Sequence, residues 1–229
     1  MKWGILGALD AEIELIRKEM TITAETALFG TVYYEGMVHG QQIVLVCCGV
    51  GKVNAAVCAA AAIDKFGADC IVNIGIAGAM GHGLHILDVV ISSEVGFHDQ
   101  DPVMLKYYPK HDFFPADQVL ADLCDRACAE LPEMAGRYRH GRIVSGDRFV
   151  SDTETKQSIN ERFAPACVEM EGAAIGHAAY MYEKPYLVIR TMSDAADDAA
   201  DETYDNFIEE AARTSATIIL KMLDLSAQA

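Results

Sequence analysis

Val168-Glu169-Met170-Glu171-Gly172 is followed along the chain by Val188-Ile189-Arg190-Thr191-Met192-Ser193-Asp194. Two carboxylates, a guanidinium and a third carboxylate thus interrupt runs that are otherwise apolar or small. A charge left in such a run is paired or used, because burying it alone is costly. Acids and an Arg in these surroundings can hold sugar hydroxyls and move a proton. A carboxylate accepts from two vicinal hydroxyls, and an Arg orders it. An acid in an apolar pocket keeps its proton longer and can donate to a heterocycle nitrogen. Glu12 stands in a similar place after the first apolar run.

Each group also has a plainer role open to it. Glu12 falls in a first helical turn, where a carboxylate gains about 0.3–1 kcal/mol from the helix dipole. Asp10 is the N-cap candidate of that helix. Glu171 and Arg190 can form a purely structural buried ion pair, with Glu169 beside it. Asp194, after Ser193, can cap the next turn. Phe149-Val150 follows the turn Ser145-Gly146-Asp147; it can offer a base a stacking face and free backbone groups, or serve as core. Gly49-Val50-Gly51-Lys52 and Gly75-Ile76-Ala77-Gly78 lack P-loop spacing and the full dinucleotide fingerprint. They read first as tight strand-to-helix turns. At 75–78 the uncharged part of a ligand could also approach the backbone.

These groups must be carried on regular elements. Residues 3–8 read as a buried strand, and Ile13, Leu15, Ile16 and Met20 as the stripe of a helix after it. Residues 25–48 read as two or three antiparallel strands, ending in a buried run 43–48. An Ala-rich helix is expected over 52–66. Buried strands are expected at 70–74 and 88–95, and a long loop at 97–116. A helix over 117–131 precedes a strand at 141–144. A helix near 153–163, a strand near 166–170, a helix over 171–182, a strand over 186–192 and a closing helix over 204–225 complete the chain. Strands and helices alternate without a break or a repeat, which predicts one α/β domain over residues 1–229 with a mixed central sheet and helices outside. Ligands of such sheets sit where loops leave the carboxyl ends of strands.

Composition narrows the partners. The chain has 229 residues, 52% of them hydrophobic, and a net charge of −16. That acidity argues against nucleic acid and anionic membranes. No 18-residue apolar stretch and no signal peptide is read, so a cytoplasmic protein is expected. The seven Cys are odd in number and mostly in apolar settings, as small buried hydrophobes in a reducing compartment would be. Cys124 and Cys128 lack further ligands for zinc, and the acidic run 194–205 lacks the Gly and closing Glu of a calcium loop. No metal and no organic cofactor is expected.

Taken in order, six segments carry a resemblance over about residues 3–223. They are Gly4-Ile5-Leu6-Gly7-Ala8 with Glu12, Gly49 to Ala55, Gly75 to Gly78, Ser145-Gly146-Asp147-Arg148-Phe149-Val150, Val168 to Gly172, and Arg190 to Asp194. Together they resemble the bacterial 5′-methylthioadenosine/S-adenosylhomocysteine nucleosidases of the purine nucleoside phosphorylase-like superfamily. The resemblance implies a three-layer α/β/α fold, a homodimer and an adenine nucleoside as substrate. It implies hydrolysis of the N-glycosidic bond to adenine and a 5-thio-ribose. It gives Asp194 the protonation of adenine N7, Glu12 the activation of water, and Glu171 the ribose hydroxyls. Met170 packs on the sugar, with Glu169 and Arg190 in the polar cluster. Phe149 stacks on adenine and Val150 reads its edge through backbone groups. Ser193 orients Asp194, Gly78 and Ile76 border the substrate, and Phe207 covers the 5′-thio group.

A phosphorylase of this superfamily needs basic residues around its nucleophile, whereas Ala8-Leu9-Asp10-Ala11-Glu12 offers only acids, which favours water. The chain also departs from the family. Ile76 stands where some members have Ser, and Leu9 replaces a common Met. The 97–116 loop, which in the family reaches toward the partner's 5′ pocket, is short and divergent, with Met104, Tyr107 and Tyr108 as candidates there. Aminodeoxyfutalosine hydrolases share this core, so that activity is the alternative. A non-catalytic nucleoside-binding or storage protein is the alternative from another class.

Overall fold

Residues 1–81, 83–198 and 200–228 are described by a computed structural model. Of the acidic run 194–205, residue 199 and the side chains of 201 and 202 lie outside the described residues. The first strand, β1 (Lys2–Gly7), is apolar and buried on both faces, as a parallel strand between two neighbours must be. Helix α1 (Asp10–Glu19) follows. Its N-cap is Leu9 rather than Asp10, which sits exposed at the first helical position. The Glu12 carboxylate takes the free amides of Ala8 and Leu9, so no Asp cap is needed.

β2 (Thr21–Leu28), β3 (Thr31–Val38) and β4 (Gln41–Cys47) form an antiparallel meander. β2 starts earlier than its sequence suggests, because a strand exposed almost throughout has no apolar alternation to betray it. Helix α2 (Lys52–Asp64) buries Ala55, Ala59 and Ala62. β5 (Cys70–Ala79) then runs through Gly75–Gly78, where a sharp turn was expected. β6 (Val89–Phe97) leads to the 97–116 stretch. That stretch is no plain loop: it holds a 3₁₀ turn, Pro102–Lys106, and a short strand, β7 (Phe113–Pro115), paired with β6. The remaining elements are α3 (Gln118–Ala129), β8 (Tyr138–Ser145), α4 (Thr153–Phe163), β9 (Cys167–Glu169), α5 (Gly172–Met181), β10 (Tyr186–Asp194) and α6 (Ala200–Ala227).

The strands form one mixed sheet in the order β10-β6-β8-β9-β5-β1-β4-β3-β2. β10 also pairs in parallel with β5, so β5, β9, β8, β6 and β10 close into a ring, from which β1, β4, β3 and β2 extend. Alternate side chains serve opposite faces, as the strand period of two dictates. Ile5, Val72 and Ile74 pack with Ile13 and Ile16 of α1, Cys124 of α3 and Ile219 of α6. Leu6, Val46 and Ile71 pack with Ala59 of α2 and Ile175 of α5. The result is the expected mixed α/β sandwich, with the ring as an addition. No described helix is long and apolar enough to cross a membrane.

Candidate active site

Three strand ends deliver four acids to one place. Glu12 lies in the first turn of α1 beyond β1, Glu169 ends β9, Glu171 stands just before α5, and Asp194 ends β10. All four are at most 6% exposed. They border a cleft that Ile76, Gly78, Phe149, Met170, Ser193 and Tyr204 also line. A larger groove between α1 and α6 is bordered by exposed Glu14, Lys18, Glu209 and Arg213, and has none of the buried acids.

Glu12 is held by backbone alone. Its Oε2 accepts from the amides of Ala8 (2.6 Å) and Leu9 (3.0 Å), and its Oε1 from that of Ile76 (3.1 Å). Burial pushes its carboxyl above the ordinary range, while Arg190 and these amides pull it back. The reach across to β5 is possible because residue 75 is Gly: a Cβ there would stand 2.5 Å from Glu12 Oε1. Gly78 does the same for the second acid, since its Cβ would stand 2.8 Å from Asp194 Oδ1. These glycines are therefore strand residues that make room for two carboxylates, not turn residues.

Asp194 accepts from the Ala196 amide (2.7 Å) at Oδ1 and from the Ser193 hydroxyl (2.8 Å) at Oδ2. Ser193 therefore orients Asp194 directly. Burial raises the carboxyl, and these two donors oppose it. An acid with this balance sits nearer to the point of giving up a proton at neutral pH than an exposed Asp does.

The ion pair expected between Glu171 and Arg190 belongs mainly to Glu169. Arg190 Nη2 lies 2.5 Å from Glu169 Oε2 and 4.0 Å from Glu171 Oε2. Glu169 Oε2 also accepts from the amides of Glu171 (3.0 Å) and Gly172 (2.7 Å), and its Oε1 from the Ser145 hydroxyl. It is thus both counter-ion and cap of α5. Glu171 keeps one oxygen on the Gly51 amide (2.8 Å). Burial and the neighbouring Glu169 push its pKa up to about 8, against the pull of Arg190. The one guanidinium, Arg190, thus faces three buried carboxyl groups, Glu169, Glu171 and Glu12.

Phe149 is half-exposed at the rim and meets Tyr204 edge-on, with centroids 5.5 Å apart. Val150 is buried next to it in the chain, and Met170 is half-buried and also lines the cleft. Phe207 is half-buried on α6 and does not line the cleft, whereas Tyr204, one helical turn earlier, does. Two residues of this polar cluster had no role in the sequence reading. Asn73 takes Arg190 Nη2 at 2.5 Å and donates to Leu6 O at 2.9 Å; a lone amide in the apolar run 70–74 was its signal. Ser145, read only as part of a turn, joins Glu169 to the Ala173 amide (2.7 Å).

Comparison with known proteins fits this geometry. The family model described as the phosphorylase superfamily matches residues 2–224. A 5′-methylthioadenosine/S-adenosylhomocysteine nucleosidase of Staphylococcus carnosus is 38% identical, over 96% of this chain and 98% of its own. The Neisseria meningitidis enzyme of the same name, solved with methylthio-immucillin-A, superposes with a TM-score of 0.93 at 37% identity, over 98% of this chain and 99% of its own. A Helicobacter pylori futalosine hydrolase superposes with a TM-score of 0.91 at 30% identity, over 98% of both chains. By sequence and by fold, this chain belongs to the 5′-methylthioadenosine/S-adenosylhomocysteine nucleosidase family of the phosphorylase superfamily.

Proposed function

We propose that the chain acts as one domain that hydrolyses the N-glycosidic bond of 5′-methylthioadenosine and S-adenosylhomocysteine, releasing adenine and the 5-thio-ribose. The observation that carries water as the nucleophile is the charge of the cleft. No Lys, Arg or His is among the described residues that line it, and Glu12 is buried where a phosphate would need a cation. Arg148 lines an adjoining recess that shares Phe149, Glu169, Met170 and Asp194 with the cleft, and it is paired with Asp152 at 2.8 Å.

The steps follow from the groups. Phe149 stacks on the adenine and backbone groups of Val150 read its edge. Asp194 gives its proton to N7, which turns adenine into a good leaving group. The bond from C1′ to the base breaks and its electrons stay on adenine. The ribose gains oxocarbenium character, which the surrounding carboxylates stabilise electrostatically. Water adds to C1′, and Glu12 takes its proton. Glu171 holds the ribose hydroxyls, Met170 packs on the sugar, and Arg190 with Glu169 keeps the polar cluster in place. Ile76 and Gly78 border the sugar side. Tyr204 covers the 5′ group, with Phe207 supporting it.

Purified protein should release adenine from both thio-nucleosides at the same rate with and without phosphate. Strict dependence on phosphate would make it a phosphorylase. Release from aminodeoxyfutalosine alone would move it to the activity of its futalosine-cleaving relative, and tight binding without release would make it a binding protein.

A homodimer is part of the same proposal. Val53, Val57, Val103, Met104 and Tyr107 are exposed apolar side chains on α2 and on the stretch after β6, where a second copy would cover them. Sedimentation at twice the chain mass is the expected result, and the mass of one chain would refute it.

A further inference from the structure

One lysine fastens three loops at the rim of the cleft. Lys52 Nζ lies 2.7 and 2.6 Å from the two oxygens of Asp99, and 3.4 Å from Asp147 Oδ2. Its backbone amide donates to Asp147 Oδ1 at 2.9 Å, and the Asp147 amide donates to Asp99 Oδ2 at 3.0 Å. Lys52 opens α2, Asp99 follows β6 and Asp147 follows β8, so the three residues come from separate strand exits. Burial opposes ionisation of Asp99, but Lys52 and the Asp147 amide outweigh it and hold its carboxyl below the ordinary range.

Two members of this triad adjoin groups of the cleft. The residue before Lys52 is Gly51, whose amide donates to Glu171 Oε1 at 2.8 Å. Gly51 has a φ of +98°, and a Cβ on it would stand 3.3 Å from Asp147 Oδ1, so the turn needs glycine to bring these groups together. Asp147 lies two residues before Phe149, the candidate stacking face. Ion pairs with side chains a quarter to a half exposed, as these are, add little to folding stability, so fold maintenance alone does not account for the arrangement.

We propose that Lys52, Asp99 and Asp147 form a positioning clip that holds the Gly51 amide on Glu171 and the 145–150 loop over the cleft. The sugar-side carboxylate and the base-side wall thereby keep one fixed spacing. None of the three is among the residues that line the cleft. This inference rests on the hydrolase reading, since Glu171 and Phe149 matter only to a bound nucleoside.

The test compares Lys52→Met and Lys52→Arg with the unaltered protein. A displacement of about 1 Å at a reacting group costs about 10²-fold in rate, so Lys52→Met should lose about 10- to 100-fold in kcat. KM should rise as well, because the loosened 145–150 loop carries the stacking face. Lys52→Arg, which keeps the charge, should recover most of the loss. High salt should slow the unaltered protein towards the Lys52→Met rate and leave that variant unchanged, because half-exposed pairs are screened. Without the Gly51 amide Glu171 titrates higher, so the acid limb of the variant should move to higher pH. Amide hydrogen exchange should quicken at 49–52 and 146–150 together. Unchanged kcat with a lowered melting temperature would make the triad a mere brace and overturn the clip. Unchanged exchange at both segments would overturn it whatever the activity. Absence of adenine release from the unaltered protein would instead strike the hydrolase reading, leaving the exchange result to decide the clip.

Discussion

Asp194→Asn is expected to lower kcat by about 10²–10⁴-fold while the cleft stays intact. The geometry makes this a clean substitution. The amide oxygen can accept from Ala196 as Oδ1 does, and the new NH2 can donate to Ser193 Oγ. Ser193 then turns its hydroxyl towards Ala77 O, already 3.5 Å away. Packing and hydrogen bonds survive, and only the transferable proton is lost. Substrate affinity should therefore change little, since an amide NH still donates to N7 but cannot hand the proton over. The pH profile adds a sign. Burial raises the Asp194 carboxyl, and the acid works only while protonated, so the rate should fall as pH rises through that raised value. In the variant this alkaline limb should vanish. Steady-state kinetics against pH would settle the matter; near-normal kcat would take the proton donor's role away from Asp194.

Glu12→Gln should cost a similar factor, about 10²–10⁴, because an amide cannot take a proton from water. It should also cost stability, unlike the change at 194. The carboxylate accepts three backbone amides, from Ala8, Leu9 and Ile76, and its two oxygens face them from both sides. A glutamine turns its NH2 towards at least one of those donors and leaves it unsatisfied, at about 1–3 kcal/mol. The base works only when ionised, so the normal rate should fall as pH drops. That acid limb belongs to the coupled buried carboxyls together, Glu12 raised by burial and Glu171 at about 8. Removing the Glu12 charge lowers Glu171, so what remains of the limb should shift to lower pH. Urea unfolding and a rate–pH profile on the same sample read both effects. Full activity would show that water is activated elsewhere.

Much of this was legible in the sequence because buried charge is conspicuous. Glu169, Glu171, Arg190 and Asp194 stood out in apolar runs, and the structure gathers them. Their pairing was not legible: which Glu faces Arg190 depends on the α5 amides and on Ser145 from another strand. Gly75 and Gly78 misled because glycine usually marks a turn. Here it marks close approach by side chains remote in sequence, which no local pattern reveals. Asp10 looked like a cap because its type favours that position, yet Glu12 already satisfied the amides. Phe207 and Tyr204 lie on one helix a turn apart. Only the packing of α6 against the ring tells which of them meets the cleft.

The ring of β5, β9, β8, β6 and β10 also bears on how the molecule behaves in a crowd. An open sheet has two raw margins, and each is a template on which another chain can add a strand. Here β10 is claimed on both sides, so among the described strands only β2 and the three-residue β7 lack a second neighbour. β7 ends in a proline, which has no amide to offer. Growth of β-fibrils is thus left one eight-residue starting line, Thr21–Leu28, with Glu25 in its middle, on a chain whose net charge of −16 repels its own copies.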